Sequence, residues 1–331
     1  MTVETAVVLS GVGAYVPEKR LTNDDLSQIV DTNDEWIRSR TGIRERRIAA
    51  DGQTTLDMAE QAALQAIERS GVEKEDIGLI VVATMTPDMP FPATACLLQD
   101  RLGIGQIMAF DLEAACSGFT YAVQVAEGLL RTGRIDHALV IGADKVSGIL
   151  DWEDRATCVL FGDGAGAAVL SRVDGRDIGI LDCLSRSDGS DPSLLCQPAG
   201  GSAMPARQQT IDARGHFLKM RGRDLFKVVV KVVNRLCRDV MERNNIRPED
   251  IRWIIPHQAN LRMIDSMAKY LEIPPEKFFV NLERYGNTSA ASVPIALEEV
   301  ISKGEIETGD LILLVAFGAG LTWSATLIRW H

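Results

Sequence analysis

Several things are scarce in this 331-residue chain, and each shortage removes a class of function. Positive charge is in deficit: 35 Lys and Arg stand against 46 Asp and Glu, a formal net charge of −11. A generic nucleic-acid surface is therefore disfavoured. No long hydrophobic run exists. The longest apolar stretch, residues 311–323, is too short and too glycine-rich to span a membrane. No N-terminal basic-plus-apolar segment resembles a signal peptide; the cytoplasm is the compartment expected from the cysteine usage. Cysteine is sparse, at positions 96, 116, 158, 183, 196 and 237, with no C-x-x-C pair. That pattern disfavours a metal site or disulfide scaffold and suits a reducing environment. Histidine is rarer still: His137, His216, His257 and His331.

What the chain does have is alternation of strand and helix signals, which argues α/β architecture. It also repeats itself. Glu75-Asp76-Ile77-Gly78-Leu79-Ile80-Val81-Val82 matches Glu249-Asp250-Ile251-Arg252-Trp253-Ile254-Ile255-Pro256, with Ile251 lying 174 residues after Ile77. Each copy continues through a helical stretch ending Leu-x-Ile. Short strands at 108–112 and 278–282 follow, then a small-residue turn and a second helix. Thr132-Gly133 and Thr308-Gly309 then introduce apolar strands at 138–143 and 311–316. A period this long is a duplicated domain, since solenoid repeats are shorter. Two halves are expected, 1–174 and 175–331, parting near Asp174-Gly175-Arg176-Asp177.

Cys116 is the first candidate nucleophile. It sits where the strand at 108–112 runs into a helix expected to start near Ser117, with Tyr121, Ala122, Val125 and Leu129 on one face. Cysteines at helix N-termini can fall from a pKa of about 8.5 to between about 3.5 and 7.5. Alone this is weak, because buried inert cysteines are common. His257 ends the matching first strand of the second half. Asn287 occupies the second half's counterpart of the Cys116 turn, where in isolation it reads as a capping residue. Strand ends of two facing halves can converge on one cleft. Cys, His and Asn without a carboxylate suit acyl transfer through a thioester: the thiol holds the acyl group, and the other two donate to a developing enolate oxygen. A papain-like protease uses the same three residue types, but that family's signature around the Cys is absent.

With these residues placed, the chain resembles the β-ketoacyl-acyl-carrier-protein synthase III condensing enzymes, essentially end to end. The resemblance is carried by Thr32-Asn33-Asp34-Glu35-Trp36-Ile37, Arg40-Thr41-Gly42-Ile43-Arg44-Glu45-Arg46, Glu113-Ala114-Ala115-Cys116-Ser117-Gly118-Phe119 and Phe161-Gly162-Asp163-Gly164-Ala165-Gly166-Ala167. The second half adds Pro256-His257-Gln258-Ala259-Asn260-Leu261-Arg262, Tyr285-Gly286-Asn287-Thr288-Ser289-Ala290-Ala291 and Phe317-Gly318-Ala319-Gly320-Leu321-Thr322-Trp323. It implies the thiolase-like fold, two duplicated α/β halves in a five-layer αβαβα arrangement, and a homodimer.

The resemblance also implies roles. Cys116 is the acyl-holding nucleophile. His257 and Asn287 promote decarboxylation of malonyl-acyl-carrier protein, and Phe317 crowds its carboxylate. The backbone N–H groups of Cys116 and Ala319 form the oxyanion hole, although many relatives carry glycine at the latter position. Trp36 and Arg155 sandwich the adenine of CoA. Arg40, Thr32, Gly222 and Asn260 line the rest of its path. Met85, Pro87, Met89 and Phe91 shape the far end of the acyl pocket, across the dimer interface. No tightly bound cofactor is implied; the CoA thioester is a substrate.

The reaction so implied is a decarboxylative Claisen condensation of a short acyl-CoA, acetyl-CoA by expectation, with malonyl-acyl-carrier protein to start fatty-acid synthesis. Two alternatives remain: a specialised-metabolism synthase with another starter or extender, and a non-catalytic carrier-binding homologue. Arg223, Lys227, Lys231, Arg235 and Arg238 recur every three or four residues and make one basic stripe. Such a stripe is usually a solvated face. Here the resemblance favours a dock for acidic acyl carrier protein, with Arg262, Lys227, Arg223 and Lys231 as contacts. Gly162-Asp163-Gly164-Ala165-Gly166 precedes a strand rather than a helix, so close packing is the better reading than phosphate binding. Residues 185–206 read as a surface loop without a role.

Overall fold

The computed structural model describes residues 5–331. Two sheets carry the fold. The first contains five strands, spatially ordered Thr5–Tyr15, Gly164–Asp174, His137–Asp144, Ile77–Ala83 and Met108–Leu112. The second contains Gly179–Ser187, Thr322–Arg329, Leu311–Gly318 and Ile251–Pro256. The first four positions of the two orders match strand for strand. In each, the first two neighbouring pairs are antiparallel and the next is parallel. The fifth strand expected in the second half, over 278–282, is reduced to one parallel bridge between Ile254 and Phe278. The chain turns there into the short helix Leu282–Tyr285.

Side-chain alternation builds the layers. In Ile77–Ala83, Leu79, Val81 and Ala83 face inward, while Ile80 and Val82 face the opposite cluster. The outward set packs under helix Thr55–Ser70, whose alanines Ala59, Ala62, Ala63 and Ala66 allow a close approach. That helix is capped at both ends, by a Thr54–Asp57 capping box and by left-handed Gly71. In Leu311–Gly318, Ile312, Leu314 and Ala316 join the inward cluster. Leu313, Val315 and Phe317 join the outer one, beneath helices Gly222–Arg243 and Leu261–Leu271. Helices Gly118–Arg131 and Ser292–Ser302 fill the middle, giving five αβαβα layers.

The middle position changes one helical face. Helix Gly118–Arg131 buries Phe119, Ala122, Val123, Ala126 and Leu130. Of the expected face only Ala122 is fully buried. Val125 is exposed, and Tyr121 and Leu129 are half-buried. A helix between two sheets is gripped on two sides, so a single-stripe reading assigns its face poorly.

The glycine-rich 162–166 segment enters strand Gly164–Asp174 directly. A Cβ on Gly166 would lie 2.7 Å from Pro294 of the central helix, and one on Gly162 would lie 2.4 Å from the Tyr285 carbonyl oxygen. Close packing accounts for these glycines.

Candidate active site

The site forms at the carboxyl ends of the strands, where open α/β sheets hold ligands. Beyond strand Met108–Leu112 the chain reaches Ala115, which adopts a left-handed φ of 45°. Its N–H donates to Glu113 Oε1 at 2.8 Å, which helps hold this unfavourable turn. Cys116 follows, inside a 3-10 turn over Ala115–Ser117. The α-helix begins two residues later, at Gly118.

His257 follows strand Ile251–Pro256, its N–H donating to the Val315 carbonyl at 2.7 Å. Phe317 lies near the end of the neighbouring strand, its ring nearly perpendicular to that of His257 with centroids 5.0 Å apart. Asn287 is tied to both halves: its N–H donates to the Leu160 carbonyl at 2.8 Å, and its Oδ1 accepts the Ser289 N–H at 2.9 Å. The amide oxygen is thereby occupied, leaving the NH2 group as the free donor.

One cavity of about 930 Å³ collects these groups. Cys116, His257, Asn287, Phe317 and Gly318 lie along it, with Phe161, Leu160 and Met263 as apolar wall. Trp36, Arg40, Gly222, Asn260, Arg223, Lys227 and Arg262 also line it. Asn260 caps helix Leu261–Leu271 and donates to the Arg40 carbonyl at 3.2 Å; Arg262 donates to the Ser39 carbonyl at 2.9 Å. Asn33 caps helix Asp34–Thr41 by accepting the Trp36 N–H at 2.8 Å.

Other expected residues lie elsewhere. Arg155 is outside the cavity wall, with its guanidinium 5.0 Å from the Trp36 ring centre and a hydrogen bond to the Asp31 carbonyl at 2.7 Å. A planar base between Trp36 and Arg155 needs about 7 Å, two van der Waals contacts, so one of them must swing aside. Thr32 is also outside, its buried hydroxyl without a partner. Lys231 sits beyond Lys227 on the same exposed helix face and does not reach the cavity. Phe91 is 83% exposed and lines neither cavity, so within one chain it is not part of an acyl pocket. Met85 and Ala319 line a second cavity, of about 390 Å³, with Ala115, Ile149, Leu195, Cys196 and Leu218.

Leu195 borders both cavities, and Met220 borders the larger. Strand Leu195–Cys196 pairs with Lys219–Met220, so the 185–206 segment supplies wall rather than an idle loop. Its sequence signal was only the apolar pair Leu194-Leu195 amid polar residues. Asp144 was also missed. This fully buried carboxylate accepts hydrogen bonds from Thr84, the Met85 N–H, Thr86 and the Ala290 N–H. It ties the Met85 wall to the turn after Asn287.

Electrostatics correct one expectation. Burial pushes the Cys116 thiol up to about 12, and the charges of Asp144 and Glu113 add to the rise. The Ser289 hydroxyl and a backbone N–H work the other way. Desolvation outweighs the helix end, so the resting group is a thiol rather than a stored thiolate. Burial also lowers His257 to about 3, leaving the imidazole neutral.

The comparisons with known proteins agree with this geometry. The family described as "3-Oxoacyl-[acyl-carrier-protein (ACP)] synthase III" matches residues 110–189, and its "C terminal" counterpart matches 241–330. The chain is 50% identical to the beta-ketoacyl-[acyl-carrier-protein] synthase III of Caldanaerobacter subterraneus over 330 residues, covering 100% of this chain and 99% of that one. It is 51% identical to the protein of that name from Xanthomonas campestris, covering 97% and 98%. The crystal structure of 3-oxoacyl-[acyl-carrier-protein] synthase III from Aquifex aeolicus superposes with a TM-score of 0.91 at 47% identity, covering 98% of this chain and all of that one.

Proposed function

From membership of the 3-oxoacyl-[acyl-carrier-protein] synthase III family, to which this chain belongs, we propose a two-stage condensation that uses the larger cavity together with the smaller one that Ala319 lines. In the first stage the Cys116 sulfur attacks an acyl-CoA thioester. The backbone N–H groups of Cys116 and Ala319 stabilise the tetrahedral oxyanion, and CoA departs carrying the thiol proton. In the second stage malonyl-acyl-carrier protein enters the emptied tunnel. His257 Nε2–H and the Asn287 NH2 group donate to its thioester oxygen while the carboxylate leaves as CO2. The edge of Phe317 crowds that carboxylate. The enolate carbon then attacks the acyl-Cys116 thioester, giving 3-ketoacyl-acyl-carrier protein and expelling the Cys116 thiolate, which takes a proton from solvent to restore the thiol.

The remaining residues take roles within the same reading. Trp36, Arg40, Gly222 and Asn260 along the tunnel fit CoA, with Arg155 swinging out to clasp the adenine and Thr32 nearby. The smaller, mainly apolar cavity beside Ala115 and Met85 fits a short acyl chain. Arg223, Lys227 and Arg262 line the larger cavity of an acidic protein, with Lys231 extending the stripe; they suit an acidic carrier protein. Met108–Leu112 is a sheet edge, and Met108, Met89 and Phe91 are exposed, which suits a homodimer. No helix among the described residues is long and apolar enough to cross a membrane, and the reading places the reaction in the cytoplasm. The two halves, 1–174 and 175–331, contribute the nucleophile and the two donors respectively. No tightly bound cofactor enters this scheme.

The observation that carries this reading is the single cavity shared by Cys116, His257 and Asn287. Mass spectrometry after mixing with acetyl-CoA tests it. An acetyl adduct that disappears in Cys116→Ala supports the enzyme. Absence of an adduct with every short acyl-CoA would instead favour a carrier-binding protein.

A further inference from the structure

The cluster behind His257 can be assigned proton by proton. His257 and Ser292 are each only 2% exposed. Ser292 opens the central helix Ser292–Ser302, and its Oγ lies 2.6 Å from His257 Nδ1. The main-chain N–H of Gln258 donates to the same Oγ at 3.4 Å. That N–H is fixed in place, because the Gln258 side chain donates to the Pro256 and Phe279 carbonyls at 2.7 and 3.1 Å and accepts the Asn281 N–H at 3.1 Å.

A backbone N–H can only donate, so Ser292 Oγ accepts there. Its hydroxyl proton then has one acceptor among its recorded partners, the Nδ1 lone pair. In the reverse arrangement Nδ1–H would donate to Oγ. The hydroxyl would accept twice, and its own proton would be buried without an acceptor, which a dry interior penalises. We propose that Ser292 is a positioning residue that locks His257 as the Nε2–H tautomer, so that the imidazole presents a donor to the cavity. This rests on the reading of His257 as a donor to the malonyl thioester oxygen.

The lock has a chemical consequence. An Nε2 that already carries hydrogen cannot serve as a ready base for the Cys116 thiol. His257 is thereby directed to decarboxylation, and Cys116 acylation proceeds without it.

Two measurements test this. The chain has only four histidines, so nitrogen-15 NMR of histidine-labelled enzyme can assign them by substitution. The expected His257 pattern is a protonated Nε2 and an unprotonated Nδ1; a protonated Nδ1 overturns the proposal. In Ser292→Ala, malonyl decarboxylation should fall about ten- to a hundredfold, below the loss expected for deleting a donor outright. KM should stay unchanged and acetylation of Cys116 should be retained. Ser292→Thr, which keeps the hydroxyl, should restore the rate. Equal loss of both half-reactions, or no change in either rate or tautomer, refutes the assignment. If the unmodified enzyme never decarboxylates malonyl-carrier protein, the functional reading fails instead, and the NMR pattern still decides the tautomer.

Discussion

Gly318 gives the sharpest test of the acylation site. It is the last residue of strand Leu311–Gly318 and touches the nucleophile's turn. A Cβ at this position would lie 2.7 Å from the Cys116 nitrogen, 2.9 Å from the Ala114 oxygen and 3.0 Å from the Ser117 nitrogen. All three are backbone atoms, so no flexible side chain can yield. Gly318→Ala must displace the turn that aims both the thiol and the Cys116 N–H. Overpacking of this kind costs about 1–3 kcal/mol. Spread over a chain of this size, that lowers Tm by about 1–4 °C. A shift of several tenths of an ångström at the reacting atoms should slow acylation about ten- to a hundredfold. The assay is single-turnover acetylation from acetyl-CoA, followed by intact mass, beside a thermal melt. Gly128→Ala is the control. Gly128 lies inside the same helix as Phe119, and a Cβ there meets nothing within 4 Å. That variant should acylate normally and gain up to about 1 kcal/mol from helix propensity. Wild-type acylation by Gly318→Ala would refute the claim that this contact positions the nucleophile.

Other expectations can be checked alongside. His257 has a folded pKa of about 3 against an unfolded value near 6.5. The unfolded chain therefore binds the extra proton between those values, and this contribution to stability is full above pH 6.5 and declines as pH falls toward 3. The loss should reach about 2 kcal/mol at pH 5 in denaturant titrations, while decarboxylation shows no break near pH 6.5. Lys227→Glu and Arg262→Glu should weaken use of malonyl-carrier protein severalfold, most at low salt, and spare acylation from CoA; equal loss of both would sink the docking assignment. Phe91→Asp should shift the sedimentation profile toward monomer, and an unchanged profile would remove Phe91 from the interface.

The fold was legible because the duplication is written in strands. Continuous apolar runs such as Ile77–Ala83 and Leu311–Gly318, too short for buried helices, read as strands buried on both faces. Their repetition, with matching turns, implied two sheets of the same order. The central helices were harder to read. Phe119 and Val123 are buried because a second sheet covers them, and nothing within the helix itself reports that sheet. The strand expected over 278–282 failed for a similar reason. Phe278 and Val280 have strand chemistry, yet Asn281, buried and held by Gln258 and Glu299, turns the chain into a helix after a single bridge.

The candidate site divides along the same physical line. Cys116, His257 and Asn287 could be found because each ends an element of the repeat, where side chains must face the cleft. Ser292, Asp144 and Leu195 could not, because their importance lies in what they touch across the fold. Ser292 is a helix-opening serine like many others until His257 is brought 2.6 Å from its hydroxyl. The Cys116 thiol makes the same point in reverse. Its position beside a helix start suggests a lowered pKa, but the layers that bury that start withdraw the water a thiolate needs. Duplication thus supplied two corresponding turns, one after a strand in the first half and one after a short helix in the second. Their different contents, a buried thiol in one and an oriented amide in the other, allow one cavity to hold an acyl group and stabilise an enolate in succession.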